Sequence, residues 1–355
     1  GKKEPSSLSP SCAPLMMTPT VAPTISMSQF DPIKVEAFKQ HIASRSNKAW
    51  YQDEWSPQHR AFVWLMQDET TQFSDTMTKE DSERLTTRYS LAVFYFALGG
   101  NKWVKKNYWL SNKEHCLWQF IDCRVTGEGN NGEDSPFKPV RGIEIEHNNM
   151  IGALPNELMF LSKLDHFYVW DNSIESVEAF AKGPDSLKWL DLSKNPLQSH
   201  KSLFRLTNLE KLNLYDTGFD GPLPVEIQNL RKLKELNLSD NQLSGTLSNQ
   251  FQKMSKLESI DLDDNKFEGN LDDILNCGTC NNTLISFSSA DNPLSGSLPE
   301  RLFGFSALKK FSVSKSKLTG TIPSGIGKLA ALEKLDLAYN DNFSNGNGNG
   351  NGNGN

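Results

Sequence analysis

The chain has 355 residues, of which 37% are hydrophobic and 23% charged. With glycine included the apolar share reaches about 44%, near the ordinary globular range, so wholesale disorder is excluded. No uninterrupted apolar run approaches the ~18 residues of a spanning helix; the richest stretch is Tyr89 to Leu98. With 37 Lys and Arg against 43 Asp and Glu, the net charge is −6, which argues against the clustered basic footprint that nucleic acid requires.

Residues 1–30 spread Pro5, Pro10, Pro14, Pro19 and Pro23 among Ser and Thr, a composition expected of a disordered stalk. Cys12, within it, is free for an intermolecular bridge. Residues 31–139 read as helical. Ser56-Pro57 supplies an N-cap and a first helical position, ahead of a helix with Phe62, Leu65 and Met66 on one side. Thr78 with Asp81 resembles a capping box. Beyond it Leu85, Tyr89, Val93 and Phe96 form an amphipathic stripe that closes at Gly99-Gly100.

From Val140 the frame L-x-x-L-x-L-x-x-N recurs nine times, starting at Val140, Leu164, Leu187, Leu209, Leu233, Leu257, Leu284, Leu308 and Leu332. The fourth and sixth positions alternate with polar residues, as in a short strand with one buried face. No single unit can bury that face, so neighbouring units must stack into a parallel sheet along a solenoid. The ninth position is Asn148, Asn172, Asn195, Asn241, Asn265, Asn292 and Asn340, whose amides can satisfy backbone groups freed where the strand turns. Thr217 and Ser316 replace it twice, and local weakening rather than a break is expected there. The helical stripe of residues 31–139 is then expected to cap the first repeats.

The second half of the unit carries L-x-G-x-L/I-P, at Gly152, Gly221, Gly296 and Gly320, with copies lacking the proline at Gly245 and Gly269. Glycine permits a turn with positive φ, and proline stops a ladder. Over residues 140–343 the repeat resembles the plant-type leucine-rich repeat of receptor-kinase ectodomains, receptor-like proteins and polygalacturonase inhibitors. The resemblance implies a right-handed α/β solenoid with its parallel sheet on the concave face and an N-terminal helical cap. Residues 344–355, dominated by an Asn-Gly repeat, are expected to be a disordered tail.

Cys116-x-Trp118 with Cys123 is similar to the C-x-W…C element of the family's N-terminal cap, which implies a Cys116–Cys123 disulfide and Trp118 buried as a wedge. The span from Arg88 to Trp103, with Trp109-Leu-Ser, resembles the pre-repeat region of diatom-type leucine-rich repeat proteins. Cys277-Gly-Thr-Cys280 falls in the 27-residue repeat; a small disulfide-closed loop, free thiols and a redox CxxC are its three readings. No second Cys/His pair stands at ligand spacing, and no cofactor or metal is expected. The sequons at Asn237, Asn281 and Asn342 are candidate glycosylation sites of an extracellular or cell-surface glycoprotein, with Asn281 placed best.

Outward strand positions place Tyr168, Trp170, Trp189 and Tyr215 on neighbouring strands, close enough for one aromatic binding cluster. A second column, Asp216, Asp240, Asp264 and Asp291 with Asp261 and Asp263, is an acidic edge: a secondary surface for a cation or basic peptide, or a solvated feature of the repeat. His147 and His166 stand roughly 16 Å apart along adjacent strands, too far to share a metal. No P-loop, kinase signature or G-x-S-x-G element is present. The expected function is non-catalytic recognition of a protein, peptide or glycan by a receptor-like, signal-transducing ectodomain, without nucleic acid or direct membrane contact, an anchor being left to sequence outside this chain. An inhibitor of a secreted hydrolase, or a surface adhesion protein, is the alternative. The ninth repeat stops near Phe343 without a recognisable cap, and its apolar edge is expected to fray or to be covered by further sequence.

Overall fold

The computed structural model describes residues 27–43, 46, 53–68, 77–124, 137–340 and 342–344. Cys12, most of the Pro-rich segment and the Asn-Gly tract lie outside the described residues.

Among the described residues, three α-helices precede the repeats. Helix α1 (Pro32–Phe38) is capped by Asp31, whose carboxylate accepts from the Ile33 N–H. Its Asp-Pro start repeats the Ser-Pro signature, but seven residues are too few to show a periodic stripe. Helix α2 (Pro57–Gln67) begins as expected, with the Ser56 hydroxyl accepting from His59 N–H. Helix α3 (Lys79–Ala97) opens on a reciprocal capping box between Thr78 and Asp81, and Gly99 follows it at φ 67°. The segment assigned to the stalk is ordered at its end. Met27–Gln29 makes a 3-10 turn, and Phe30 meets Phe62 edge-on at 5.7 Å.

The packing of α3 corrects one expectation. Leu85, Tyr89 and Val93 face α1 and α2, in a small core with Phe38, Ile42, Phe62 and Leu65. A second stripe, Leu91, Phe94 and the C-cap Leu98, joins the repeat core instead, with Phe94 edge-on to Phe167 at 6.1 Å. A helix packed on two sides is apolar nearly all round, and either stripe taken alone identifies half its neighbours.

The segment resembling the diatom-type pre-repeat region builds the junction. Trp118 is 1% exposed, stands between Trp64 and Trp109, and carries the Arg88 guanidinium 5.2 Å from its ring. Arg88 is buried, pairs with Asp68 at 2.8 Å and donates to the carbonyls of Ser111 and Lys113. Burial holds its pKa below the ordinary arginine value, with Asp68 opposing. Each indole N–H of Trp64, Trp103, Trp109 and Trp118 donates to a carbonyl, so the cluster leaves no indole donor unsatisfied. The Cys116–Cys123 bridge is formed beside it, with Cα atoms 5.7 Å apart.

The repeats contribute β2 (Gly142–Glu144), β3 (His166–Tyr168), β4 (Trp189–Asp191), β5 (Lys211–Asn213), β6 (Glu235–Asn237), β7 (Ser259–Asp261), β8 (Ser286–Ser288), β9 (Lys310–Ser312) and β10 (Lys334–Asp336). They pair in parallel and in chain order, and β1 (Ile121–Asp122) of the cap joins β2 antiparallel. The register is constant, so fourth-position residues from Ile143 to Phe311 stack in one row, none more than 2% exposed. In β10 the equivalent Leu335 is 36% exposed.

The ninth-position amides stitch successive units. Asn241 donates to the carbonyls of Leu214, Leu238 and Ser239, and its Oδ1 accepts from the N–H groups of Thr217 and Phe219. Thr217 retains one equivalent bond, from its hydroxyl to Leu214 O. All six repeat glycines have positive φ, from 72° at Gly221 to 104° at Gly152, and a second set of short parallel strands runs behind the first. That set is interrupted. Ile151–Ala153 pairs with Ser173–Ser176, the next pairing begins at Asp220–Pro222, and the repeat opening at Leu187 supplies no strand there among the described residues. His200 fills the gap. Its ring stacks on Phe219 at 3.8 Å, and its Nε2 lies 3.2 Å from the Thr217 hydroxyl. The missing glycine turn and the missing asparagine therefore meet at one place. Cys277 and Cys280 are also bridged, with Cα atoms 5.5 Å apart. Both are buried in the repeat core, which suits a closed structural loop and denies a redox partner access.

Candidate functional site

Third, fifth and seventh frame positions leave the core and line the concave face. Tyr168, Trp170, Trp189 and Tyr215 all lie there, half-buried. They do not form the single cluster their spacing suggests. Register pairs Trp189 with His166 and Tyr168 with Asp191, so these two rings sit in different rows. Trp170 and Tyr215 share a row but stand two strands apart, about 9.6 Å. Imidazoles and a lysine lie beside them. His166 lies 5.6 Å from Tyr168 and 6.2 Å from Trp189, His147 meets Trp170 at 4.6 Å, and Lys194 stands 5.8 Å from the Tyr215 ring. Burial, reinforced by Glu144 and Asp191, pushes the Tyr168 phenol up to about 12. Asp240 raises that of Tyr215. Both hydroxyls stay protonated and able to donate.

Beside Tyr168 and Trp189 lies a group that histidine spacing alone does not show. His166 is 3% exposed. Its Nδ1 is 2.6 Å from Asp165 Oδ1, and its Nε2 is 3.1 Å from Glu144 Oε1 and 3.8 Å from Asp122 Oδ2. Gly142, its neighbour in the row, makes the space: a Cβ there would fall 1.6 Å from His166 Nε2. Asp122 also accepts both arms of the exposed Arg124. Burial raises its pKa, but these bonds and His166 outweigh that and hold it below the usual carboxylate value. His147 pairs with Asp171 at 2.5 Å.

Beyond β4, charges pair across strands at the third position of the frame and at the second position beside the face. Lys211 pairs with Glu235 at 2.7 Å, Lys234 with Glu210 at 2.8 Å and Lys309 with Glu333 at 2.9 Å. The aspartate column has a conformational cause. The residue before the ninth position has positive φ in every repeat, including Asp216, Asp240, Asp264 and Asp291 at 50–54°, a region aspartate tolerates better than most residues. Asp291 takes Lys315 at 3.0 Å. Asp263 is engaged by Ser288 and the Ala290 N–H. Burial raises Asp261, and burial with Asp240 and Asp291 raises Asp264. Among the sequons, Asn281 is exposed, Asn237 points its carbonyl at the Ser239 hydroxyl, and Asn342 lies in a terminal strand, Asn342–Ser344, that extends through Ser344 beyond the expected repeat boundary.

Sequence comparison matches the leucine rich repeat over residues 225–267, and again over 208–230. The repeats of this chain are leucine-rich repeats. A search of curated protein sequences returns no match. Among solved structures, the repeat protein is similar to the plant peptide hormone receptor RGFR1 in complex with RGF2, at 23% identity and TM-score 0.50, over 56% of this chain and 31% of that one. It thus spans about a third of that receptor's length. Internalin C2 from Listeria monocytogenes aligns at 18% identity over 56% of this chain and 80% of its own, with TM-score 0.48. A plant ice-binding protein aligns at 21% over 70% and 93%, with TM-score 0.43. No helix among the described residues is long and apolar enough to cross a membrane.

Proposed function

We propose that this leucine-rich repeat protein is a non-catalytic, extracellular recognition module that binds a peptide or protein on β2 to β5 of its concave face. The observation that carries this reading is the contrast along the sheet. On β5 and β6 the third-position Lys211 and Glu235 pair across strands, and Lys234 and Glu210 beside them do the same, whereas Tyr168, Trp170, Trp189 and Tyr215 gather part-exposed aromatic surface in the repeats of β3 to β5. Half-buried aromatics on a rigid sheet are the composition of a binding hot spot, because they bring large contact area at small entropic cost. The similar plant receptor is in complex with RGF2, and a repeat scaffold is typically a binding surface rather than a catalyst. Two disulfides suit an oxidising compartment.

The test is affinity capture of secreted peptides and proteins by the full chain, followed by titration of the captured ligand. Trp170→Ala and Trp189→Ala are each expected to weaken binding at least tenfold, while Lys310→Ala on β9 leaves it within twofold. Unchanged binding in both tryptophan variants removes the aromatic end from the reading. Capture of a secreted hydrolase with loss of its activity turns the reading to an inhibitor.

A further inference from the structure

We propose that Asp122, Glu144 and His166 form a binding site for a divalent metal ion of the zinc class, where the cap strand β1 meets the first two repeats.

The chemistry of the unpartnered atom comes first. His166 is buried, and Asp165 engages its Nδ1 at 2.6 Å. With Nδ1 held by Asp165, Nε2 is the ring atom left to face a metal, the arrangement in which a carboxylate orients a ligating histidine. That Nε2 is buried and makes no hydrogen bond, yet two carboxylates face it. An imidazole nitrogen and two carboxylate oxygens therefore converge on one point, a donor set suited to a bound cation.

The spacing fits a metal. Zn–N and Zn–O bonds of ~2.0–2.2 Å at tetrahedral angles put neighbouring donor atoms about 3.3–3.5 Å apart. The observed separations from Nε2 are 3.1 Å to Glu144 and 3.8 Å to Asp122, and all three donors lie within 4.8 Å of one another. The backbone is built for this convergence. Gly142 admits the imidazole where any side chain would collide, and β1 pairs with β2 so that Asp122 stands opposite Gly142. One imidazole and two carboxylates favour zinc-like ions over magnesium or calcium, which take all-oxygen shells. Three protein donors leave a further position, and Glu144, half-exposed, opens the site to the concave face. Arg124 holds Asp122 from outside and competes with the metal for its oxygens.

Calorimetric titration of the chelator-treated full chain with zinc chloride tests this, with cobalt chloride as a spectroscopic substitute and magnesium chloride as control. One zinc per chain is expected, with cobalt giving visible absorption bands and magnesium no heat. Glu144→Gln and His166→Asn should each weaken zinc binding at least tenfold, and Asp165→Asn by about 10–100-fold. Arg124→Ala should tighten it several-fold. Glu144 and Arg124 are exposed enough that these two variants keep the fold, which circular dichroism checks. Zinc binding unchanged by Glu144→Gln, or abolished by His147→Ala in its place, overturns the proposal, as does the absence of zinc binding to the native chain.

Discussion

At the residue scale, the ninth frame position and the one before it obey different rules. The asparagines are fixed by hydrogen bonding: Asn241 serves five backbone groups in two units, and no other side chain of that size offers both donors and an acceptor. The preceding residue is fixed by φ, since aspartate, lysine, histidine and tyrosine all hold it at 45–58°. The acidic column therefore needs no ligand to explain it. If conformation is the cause, Asp240→Asn and Asp240→Gly should leave stability within about 0.5 kcal/mol, because both tolerate the left-handed region. Asp240→Val should cost about 1–2 kcal/mol, since a β-branched residue is strained there. Urea unfolding of the three variants separates the causes; Asn and Val variants of equal stability would defeat the conformational account.

At the element scale, regular units were legible and their exceptions were not. The period of the frame gave all nine strands, because alternation and the terminal asparagine are local properties of the chain. The packing of α3 was half legible, since its second stripe is offset from the first by a face rather than by a register. The metal-type cluster needs β1 beside β2, which brings Asp122 to Glu144 and His166 from outside the repeats. The one local trace it leaves is Gly142, a glycine within a strand, which signals close approach by a neighbour. The His200 insertion was hidden likewise, as its partners Thr217 and Phe219 belong to the next unit. It has a consequence for pH. Burial lowers the His200 pKa to about 4 from 6.5, with Asp220 opposing. The unfolded chain therefore binds a proton that the folded chain refuses between those values. The stabilisation is complete above pH 6.5 and is lost as pH falls towards 4, by about 2–3 kcal/mol. His200→Phe keeps the stack on Phe219 and removes the proton site, so its loss of stability between pH 7 and 4.5, followed by urea unfolding, should be smaller than that of the native chain. Equal losses would show that the acid sensitivity arises elsewhere, His115 being the other histidine that burial lowers to about 4.

At the scale of the whole molecule, a stack of units is a one-dimensional system in which each repeat is stabilised mainly by its two neighbours. Its ends then decide where opening begins. At the front, β2 is flanked by β1, and Phe94, Leu98, Trp103 and Trp118 cover the first core layer, so Ile143 is 0% exposed. At the far end, Leu335 is 36% exposed, Tyr339 is 77% exposed, and Leu332 and Leu337 are only partly buried. Amide exchange follows the free energy of local opening, which rises with apolar contact on both sides. Hydrogen–deuterium exchange read by mass spectrometry should therefore be asymmetric: peptides over Gly142–Glu144 should match those over Glu235–Asn237, and peptides over Lys334–Asp336 should exchange at least tenfold faster. Equally fast exchange at both ends would mean that the helical cap does not seal the stack. The aromatic face and the Asp122–Glu144–His166 cluster would then rest on a mobile end, and a rigid recognition surface could not be placed there.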